Sequence, residues 1–245
     1  MPDSWSAMAG QRREQIDSGR DITFTNVFLP FYRNLVTDLG CNSIIEVGCG
    51  TGHLAKELSR TVQRTYALEP SPGMHAVASE VLRDSGVELI NRAVEGYATK
   101  ERFDCVISHL CAQTVSDLNR FLQSCGGLLE PNGCFIFSIP RPCFWNDYQP
   151  YFEVDGFDYM KEQFTNATLT ISLDRASKMP GIPFHHRPLS NYISAIAASD
   201  LEIRKFDEIL PTDSVQRLYP KRWERPHFCV FQSTRSVNQA HPRAR

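Results

Sequence analysis

Chemistry-bearing residues gather first at Glu46-x-Gly48-x-Gly50-x-Gly52, where three glycines at alternate positions follow a carboxylate. Glycine tolerates positive φ and lets a ligand lie against bare backbone. A nicotinamide-binding turn would read G-x-G-x-x-G and a phosphate loop G-x-x-x-x-G-K-[ST]; neither matches. A carboxylate here is a poor neighbour for a pyrophosphate and a good one for the ammonium of an amino acid. A second acid, Glu69, follows 17 residues after Gly52. The other candidates for chemistry are His109, Arg141, and the adjacent His185 and His186. No metal centre is expected: the eight cysteines contain no C-x-x-C pair, adjacent histidines rarely ligate one ion, and no Asp, Glu or Cys partner has ligand spacing. The cysteines read as small buried thiols in a reducing compartment.

These residues sit at the ends of recognisable elements. Ile44, Ile45 and Val47 form a short strand, and helix-forming residues resume at Leu54, so the glycines occupy a strand-to-helix turn. Arg64–Leu68 is a second strand ending in Glu69. In a doubly wound sheet an acid at that point accepts hydrogen bonds from both ribose hydroxyls of an adenosine; a solvated turn residue before Pro70 is the bland alternative. Ser71 and Pro72 open a helix that runs through Met74 and stops near Gly86, and short strands follow at 87–90 and 103–108. A helix opens at Asp117, a Pro131-Asn132-Gly133 turn follows, and a fifth strand spans Cys134–Ile139.

Taken in this order, the segments resemble the class I S-adenosylmethionine-dependent methyltransferases over roughly residues 40–140. The resemblance implies that the acidic-x-Gly-x-Gly-x-Gly turn, with Glu46, Gly48, Cys49, Gly50 and Gly52, holds the methionine half of the cofactor. Glu69, Pro70 and Met74 correspond to the ribose-binding second motif. Arg92-Ala93-Val94-Glu95 stands where relatives carry Gly-Asp-Ala-Glu: Glu95 fits, but Ala93 replaces the aspartate that contacts adenine, leaving backbone around Ala93 and Val94 for that contact. Ser108 to Val115 resembles the turn beside the methylthio centre, with Gln113 where many relatives have histidine; His109 is a candidate base or a packed structural residue. Relatives often show His-Pro at Arg141-Pro142. A weaker signature, His186-Arg187-x-Leu189-Ser190-x-Tyr192, resembles a small-molecule methyltransferase subgroup and extends the likeness to about 211.

The expected fold is α/β: a seven-stranded, mostly parallel, doubly wound sheet of the class I methyltransferase type, with a lid inserted between strand 5 and the following helix. Residues 1–40 form a helical cap, polar and uneven up to 20 and then a helix, or a helix broken near Pro30, with Phe24, Phe28 and Tyr32 packing on the sheet or closing over the cofactor. Residues 41–139 form the cofactor-binding core and 140–187 the insertion, too long for a plain connection and rich in aromatics such as Trp145 and Tyr151. Ala167–Leu173 alternates like a strand. A cap over the strand ends and a dimerisation arm are both open readings. Residues 188–235 complete the core, with a strand at 201–206 and a last edge strand at 227–231, and 236–245 is a polar, disordered tail.

The 245 residues are 42% hydrophobic with a formal net charge of -2, enough for a packed core and without the basic stripe of a nucleic-acid binder. No run approaches the roughly 18 apolar residues of a membrane span and no leader is visible, so a cytoplasmic monomer or homodimer without nucleic-acid or membrane partners is expected. The functional expectation is methyl transfer to N or O of a small, planar or aromatic metabolite by alignment and desolvation. His109, Arg141 and His186 are the catalytic candidates, and Phe24, Tyr32, Arg141, Trp145, Tyr151, His185, His186 and Tyr192 the acceptor-binding ones. The rival readings are a methyltransferase acting on peptide or RNA and a non-catalytic cofactor-binding protein.

Overall fold

A computed structural model describes residues 4–236. In chain order its elements are α1 (Ser4–Asp17), α2 (Leu29–Asp38), β1 (Ser43–Val47), α3 (His53–Leu58), β2 (Arg64–Leu68), α4 (Pro72–Val81), β3 (Glu88–Ile90), β4 (Phe103–His109), α5 (Leu118–Gly127), β5 (Leu129–Pro140), α6 (Trp145–Tyr148), β6 (Gln163–Ile171), β7 (Asp174–His186), α7 (Leu189–Ala198), β8 (Leu201–Ile209), α8 (Asp213–Gln216) and β9 (Phe228–Arg235). Seven strands form one sheet in the order β3-β2-β1-β4-β5-β9-β8. The first five are parallel and β9 runs antiparallel to both neighbours, which is the doubly wound, mostly parallel sheet expected.

Period-two alternation splits the strands between two cores. Ile45, Val47, Val106, Phe135, Phe137 and Phe231 face α5 and α7. Ile44, Ile107, Ile136 and Val230 face α2 and the aromatics of the insertion. Both faces being covered, the strands read as continuous apolar runs.

Three elements depart from expectation. The final strand is interior: Phe228–Ser233 are all buried, whereas β8 alternates and carries Arg204 and Lys205 at the sheet edge. Charged side chains suit an edge that must not pair further. The polar first twenty residues form a 14-residue helix, α1, because its partner is another helix. Ser6 Oγ accepts the Gly73 N–H at 2.8 Å, and a Cβ on Gly73 would lie 2.5 Å from the Ser6 backbone, so only glycine allows α1 and α4 to approach this closely. Between β5 and α7, β6 pairs with β7, a strand masked in sequence by Pro180, Gly181 and Pro183. Proline is tolerated in this two-stranded sheet because both strands are edges.

The segment around Pro30, expected as a helix or a broken helix, is a continuous helical run in which a π-helical turn, Phe24–Phe28, leads into α2. The insertion also reaches the segment just after α1: Arg20 pairs with Asp174 at 2.9 Å. Ser236 is tied back by its N–H to the Asp200 carbonyl at 2.9 Å, and the remaining predicted tail lies outside the described residues. Among the described residues no helix is long and apolar enough to cross a membrane.

Candidate active site

A cavity of about 490 Å³ opens at the carboxyl ends of β1, β2, β4 and β5, where strand order reverses between β1 and β4. That reversal is where an open α/β sheet offers a crevice to ligands. The glycine turn forms its floor, and Gly48, Gly50 and Gly52 have φ of 72, 56 and 79°. Gly48 is required twice over, since a Cβ there would also come within 2.6 Å of Cys111 Sγ. The Gly48 and Cys49 N–H groups both donate to the Leu68 carbonyl, locking the turn to the end of β2.

The two acids are held differently. Glu69 accepts the Gly50 N–H at 2.7 Å on Oε2 and the Ser71 N–H at 2.8 Å on Oε1, while Asn91 donates to its carbonyl at 2.7 Å. Both carboxylate oxygens are thereby fixed in direction. Glu46 is 2% exposed, and its Oε2 has no hydrogen-bond partner among the described residues. Burial drives its pKa well above the usual carboxylate range, and the nearby Glu69 charge adds to the rise while the Ala55 backbone N–H opposes it. A buried carboxyl with one oxygen unpartnered, beside a second carboxylate, suits a cationic group.

At the end of β4, His109 Nδ1 lies 2.9 Å from Ser138 Oγ, and its ring packs against Phe28 at 4.4 Å, Tyr32 at 5.5 Å and Phe24 at 5.6 Å. Burial, helped by the Arg12 charge, pushes the imidazole pKa down to about 3, so it is neutral near pH 7. Leu110 follows with φ of 49°, a strained value for a branched residue, and its carbonyl accepts from Gln113 Nε2 at 2.6 Å. This loop is fastened from behind. Arg187, 3% exposed, donates to the carbonyls of Val115, Ser116 and Ala112 at 2.7, 3.1 and 3.4 Å, and the His185 N–H donates to Gln113 O at 2.8 Å.

Of the residues predicted from sequence, Glu46, Gly48, Cys49, Gly50, Glu69, Pro70, Met74, His109, Gln113, Phe24, Trp145 and Tyr151 line the cavity. Gly52 stands behind it as the residue preceding α3. The others do not line it. Arg141 turns away, its N–H bonded to His227 O and its guanidinium paired with Glu208 between the rings of Phe144 and Phe206. His186 bonds through Nε2 to Tyr159 O, and His185 packs on Phe164 at 4.7 Å. Tyr192 is buried in the core beside Phe231, because its face of α7 packs on the sheet. Tyr32 is fully buried behind His109. Ser108 Oγ donates to Val47 O, tying β4 to β1. Ala93, Val94 and Glu95, around a 3₁₀ turn, also stand outside the walls.

Several walls were not legible in sequence. Trp5, Arg12 and Ile16 come from α1, and Asp21 and Thr23 from the segment after it. Their helix is polar on average, so nothing local marks it as a wall. Asp17 and His53 close that wall onto the glycine turn, with His53 Nε2 at 2.9 Å from Asp17 and Nδ1 at 2.8 Å from Thr51 Oγ1. Tyr148, Leu169, Thr170, Ile171 and Phe184 form the roof from the insertion. Their alternation or aromaticity was visible, their direction was not.

Residues 45–137 match the methyltransferase domain family. The chain is 34% identical over 98 residues to the ubiquinone biosynthesis O-methyltransferase of Azorhizobium caulinodans, a match covering 39% of each protein. It is 26% identical over 172 residues to the malonyl-[acyl-carrier protein] O-methyltransferase 1 of Ilyobacter polytropus, covering 69% of this chain and 59% of that one. A crystal structure of an S-adenosylmethionine-dependent methyltransferase from Mesorhizobium loti superposes with a TM-score of 0.63 at 24% identity, over 79% of this chain and 90% of the other. The chain thus spans about two-fifths of the length of the first of these curated relatives. The sheet order, the glycine turn and the methyltransferase domain matched over residues 45–137 are those of a class I S-adenosylmethionine-dependent methyltransferase.

Proposed function

We propose that the protein transfers the methyl group of S-adenosylmethionine to an N or O atom of a small, flat acceptor held in this cavity. The observation that carries the reading is the pair of carboxylates at adjacent strand ends, Glu69 pinned by two backbone N–H groups and Glu46 buried with its Oε2 unpartnered among the described residues. In this reading Glu69 accepts the ribose hydroxyls, and Glu46 faces the ammonium of the methionine moiety. The backbone of Gly48, Cys49 and Gly50 gives that moiety a surface without side-chain obstruction. Pro70 and Met74 flank the adenosine, and Gln113 approaches it from the loop after β4.

When bound, the cofactor supplies a sulfonium methyl that is already electrophilic. What remains for the protein is alignment and exclusion of water. Phe24, Trp145 and Tyr151 hold the acceptor, and the β6–β7 hairpin serves as the roof that keeps the site dry. His109, neutral and caged by aromatic rings, orients rather than shuttles protons.

Isothermal titration of the protein with S-adenosylmethionine and S-adenosylhomocysteine, repeated on Glu69→Ala, tests the reading. Loss of the charge-assisted ribose bonds is expected to weaken binding by about 1.5–3 kcal/mol, roughly ten- to hundred-fold. Failure of the wild-type protein to bind either nucleotide would refute it.

A further inference from the structure

The reading of the cavity as a methyltransferase site leaves open what kind of acceptor enters it, and the charges on the walls narrow the answer. Three carboxylates line the cavity, Asp21, Glu46 and Glu69, whereas Arg12 is the one arginine or lysine among the described residues that line it. In that reading Glu46 and Glu69 serve the cofactor. Arg12 and Asp21, paired at 2.6 Å, are then the charges that face the acceptor.

The pair is lopsided. Asp21 engages the Phe24 N–H at 3.0 Å with Oδ1 and Arg12 with Oδ2. Arg12 meets Asp21 through one terminal nitrogen and donates to Gln15 at 3.3 Å through the other. A guanidinium carries five N–H groups. Three of them therefore have no partner among the described residues. The Arg12 side chain is also the more open of the two, 18% exposed against 8%.

The guanidinium lies 6.0 Å over the Phe24 ring, and His109 packs on the same ring at 5.6 Å. The Arg12 charge acts on the His109 imidazole more strongly than the opposing Asp21 charge does. The pair thus turns its positive side toward the end of β4, where His109 lines the cavity. A cation entering there meets no disengaged carboxylate. An anion meets a charge and unused donors in the planar fork that matches a carboxylate.

We propose that the acceptor is a flat molecule bearing a carboxylate, and that Arg12 binds that carboxylate through its unused N–H groups. Phe24 supplies the stacking surface beneath the guanidinium, and Asp21 holds the guanidinium in place while competing for its charge. Selection of the acceptor then rests on a helix, α1, that lies outside the matched methyltransferase domain.

The test uses the full chain loaded with S-adenosylhomocysteine and three probes of similar shape: 2-naphthoate, the neutral 2-naphthamide and the cation 2-naphthylmethylammonium. Calorimetric titration is expected to show naphthoate binding about tenfold more tightly than either of the others. Arg12→Gln is expected to weaken naphthoate about tenfold and to leave naphthamide within about twofold. Asp21→Asn removes the competing carboxylate and should tighten naphthoate, whereas a pair with a merely structural role would lose naphthoate and naphthamide alike in both variants. S-adenosylhomocysteine affinity is expected to stay within about twofold in Arg12→Gln, which also shows that the variant folds. A larger loss would assign Arg12 to the cofactor's own carboxylate and overturn the proposal. So would an amide or ammonium probe that binds as tightly as naphthoate, no naphthoate binding by the loaded protein, or weaker naphthoate binding in Asp21→Asn. Failure of the wild-type protein to bind S-adenosylhomocysteine would instead refute the methyltransferase reading on which the proposal rests.

Discussion

Gly73→Ala separates two effects of opposite sign. Inside an isolated helix, replacing glycine by alanine stabilises by about 1 kcal/mol through propensity and the restricted unfolded chain. Here a Cβ would meet Ser6 Cα and O at 2.5 Å and Ser6 C at 2.8 Å. These are backbone atoms of the facing helix, so no rotamer change relieves the clash, and α1 must move. Overpacking of this kind costs roughly 1–3 kcal/mol. The net expectation is a loss of about 1–2 kcal/mol, and for a chain of this length each kcal/mol lowers Tm by about 2–4 °C. Because α1 carries Trp5, Arg12 and Ile16 into the cavity wall, S-adenosylhomocysteine affinity should fall together with Tm. Scanning calorimetry and titration on the same preparation measure both. A variant with raised Tm and unchanged affinity would refute the close contact of α1 with α4 and its place over the site.

Glu46→Gln is expected to raise the Tm of the ligand-free protein while weakening S-adenosylmethionine at least tenfold, read by calorimetry and titration. The folded-state pKa of Glu46 lies above its unfolded value, so its stability contribution is present at low pH and is lost as pH rises above about 4.5 toward the folded pKa. The stability gain of the glutamine variant should therefore grow across that interval, and a gain independent of pH would contradict the assignment. Arg187→Met keeps the length of the side chain but strands the carbonyls of Ala112, Val115 and Ser116. A loss of about 2–5 kcal/mol is expected, with faster hydrogen exchange across residues 110–116 and partial rescue in Arg187→Lys; a loss below 1 kcal/mol would show that the loop holds itself.

The parts of the site that were legible in sequence share a property: each is contiguous and has a backbone requirement. The alternating glycines after Glu46 announce positive φ, and the acid closing β2 announces a sheet terminus, so Glu46, Gly48, Cys49, Gly50 and Glu69 could be expected at the cavity that they line. Arg141, His185 and His186 show the opposite case. Each carries suitable chemistry and stands near a strand end or turn, yet Arg141 is drawn to Glu208 on β8 and His186 to the Tyr159 carbonyl. Those partners are far along the chain or set by the pairing of β6 with β7. A one-residue change in strand register sends a side chain to the other face, and short-range patterns do not encode that choice for an insertion.

What the amino-acid order determined by itself was the alternation of strands and helices, the glycine turn with its two acids, and through them the likeness to the methyltransferase domain family over residues 45–137. Tertiary structure alone decided that a polar helix, α1, would wall the cavity, that the last strand would lie inside the sheet, and that Arg187 would hold the loop beneath it. The physical reason is range. Backbone conformation and hydrophobic periodicity are set by neighbours within a few residues, whereas the aim of a side chain and the burial of a charge depend on which distant surface arrives to face them.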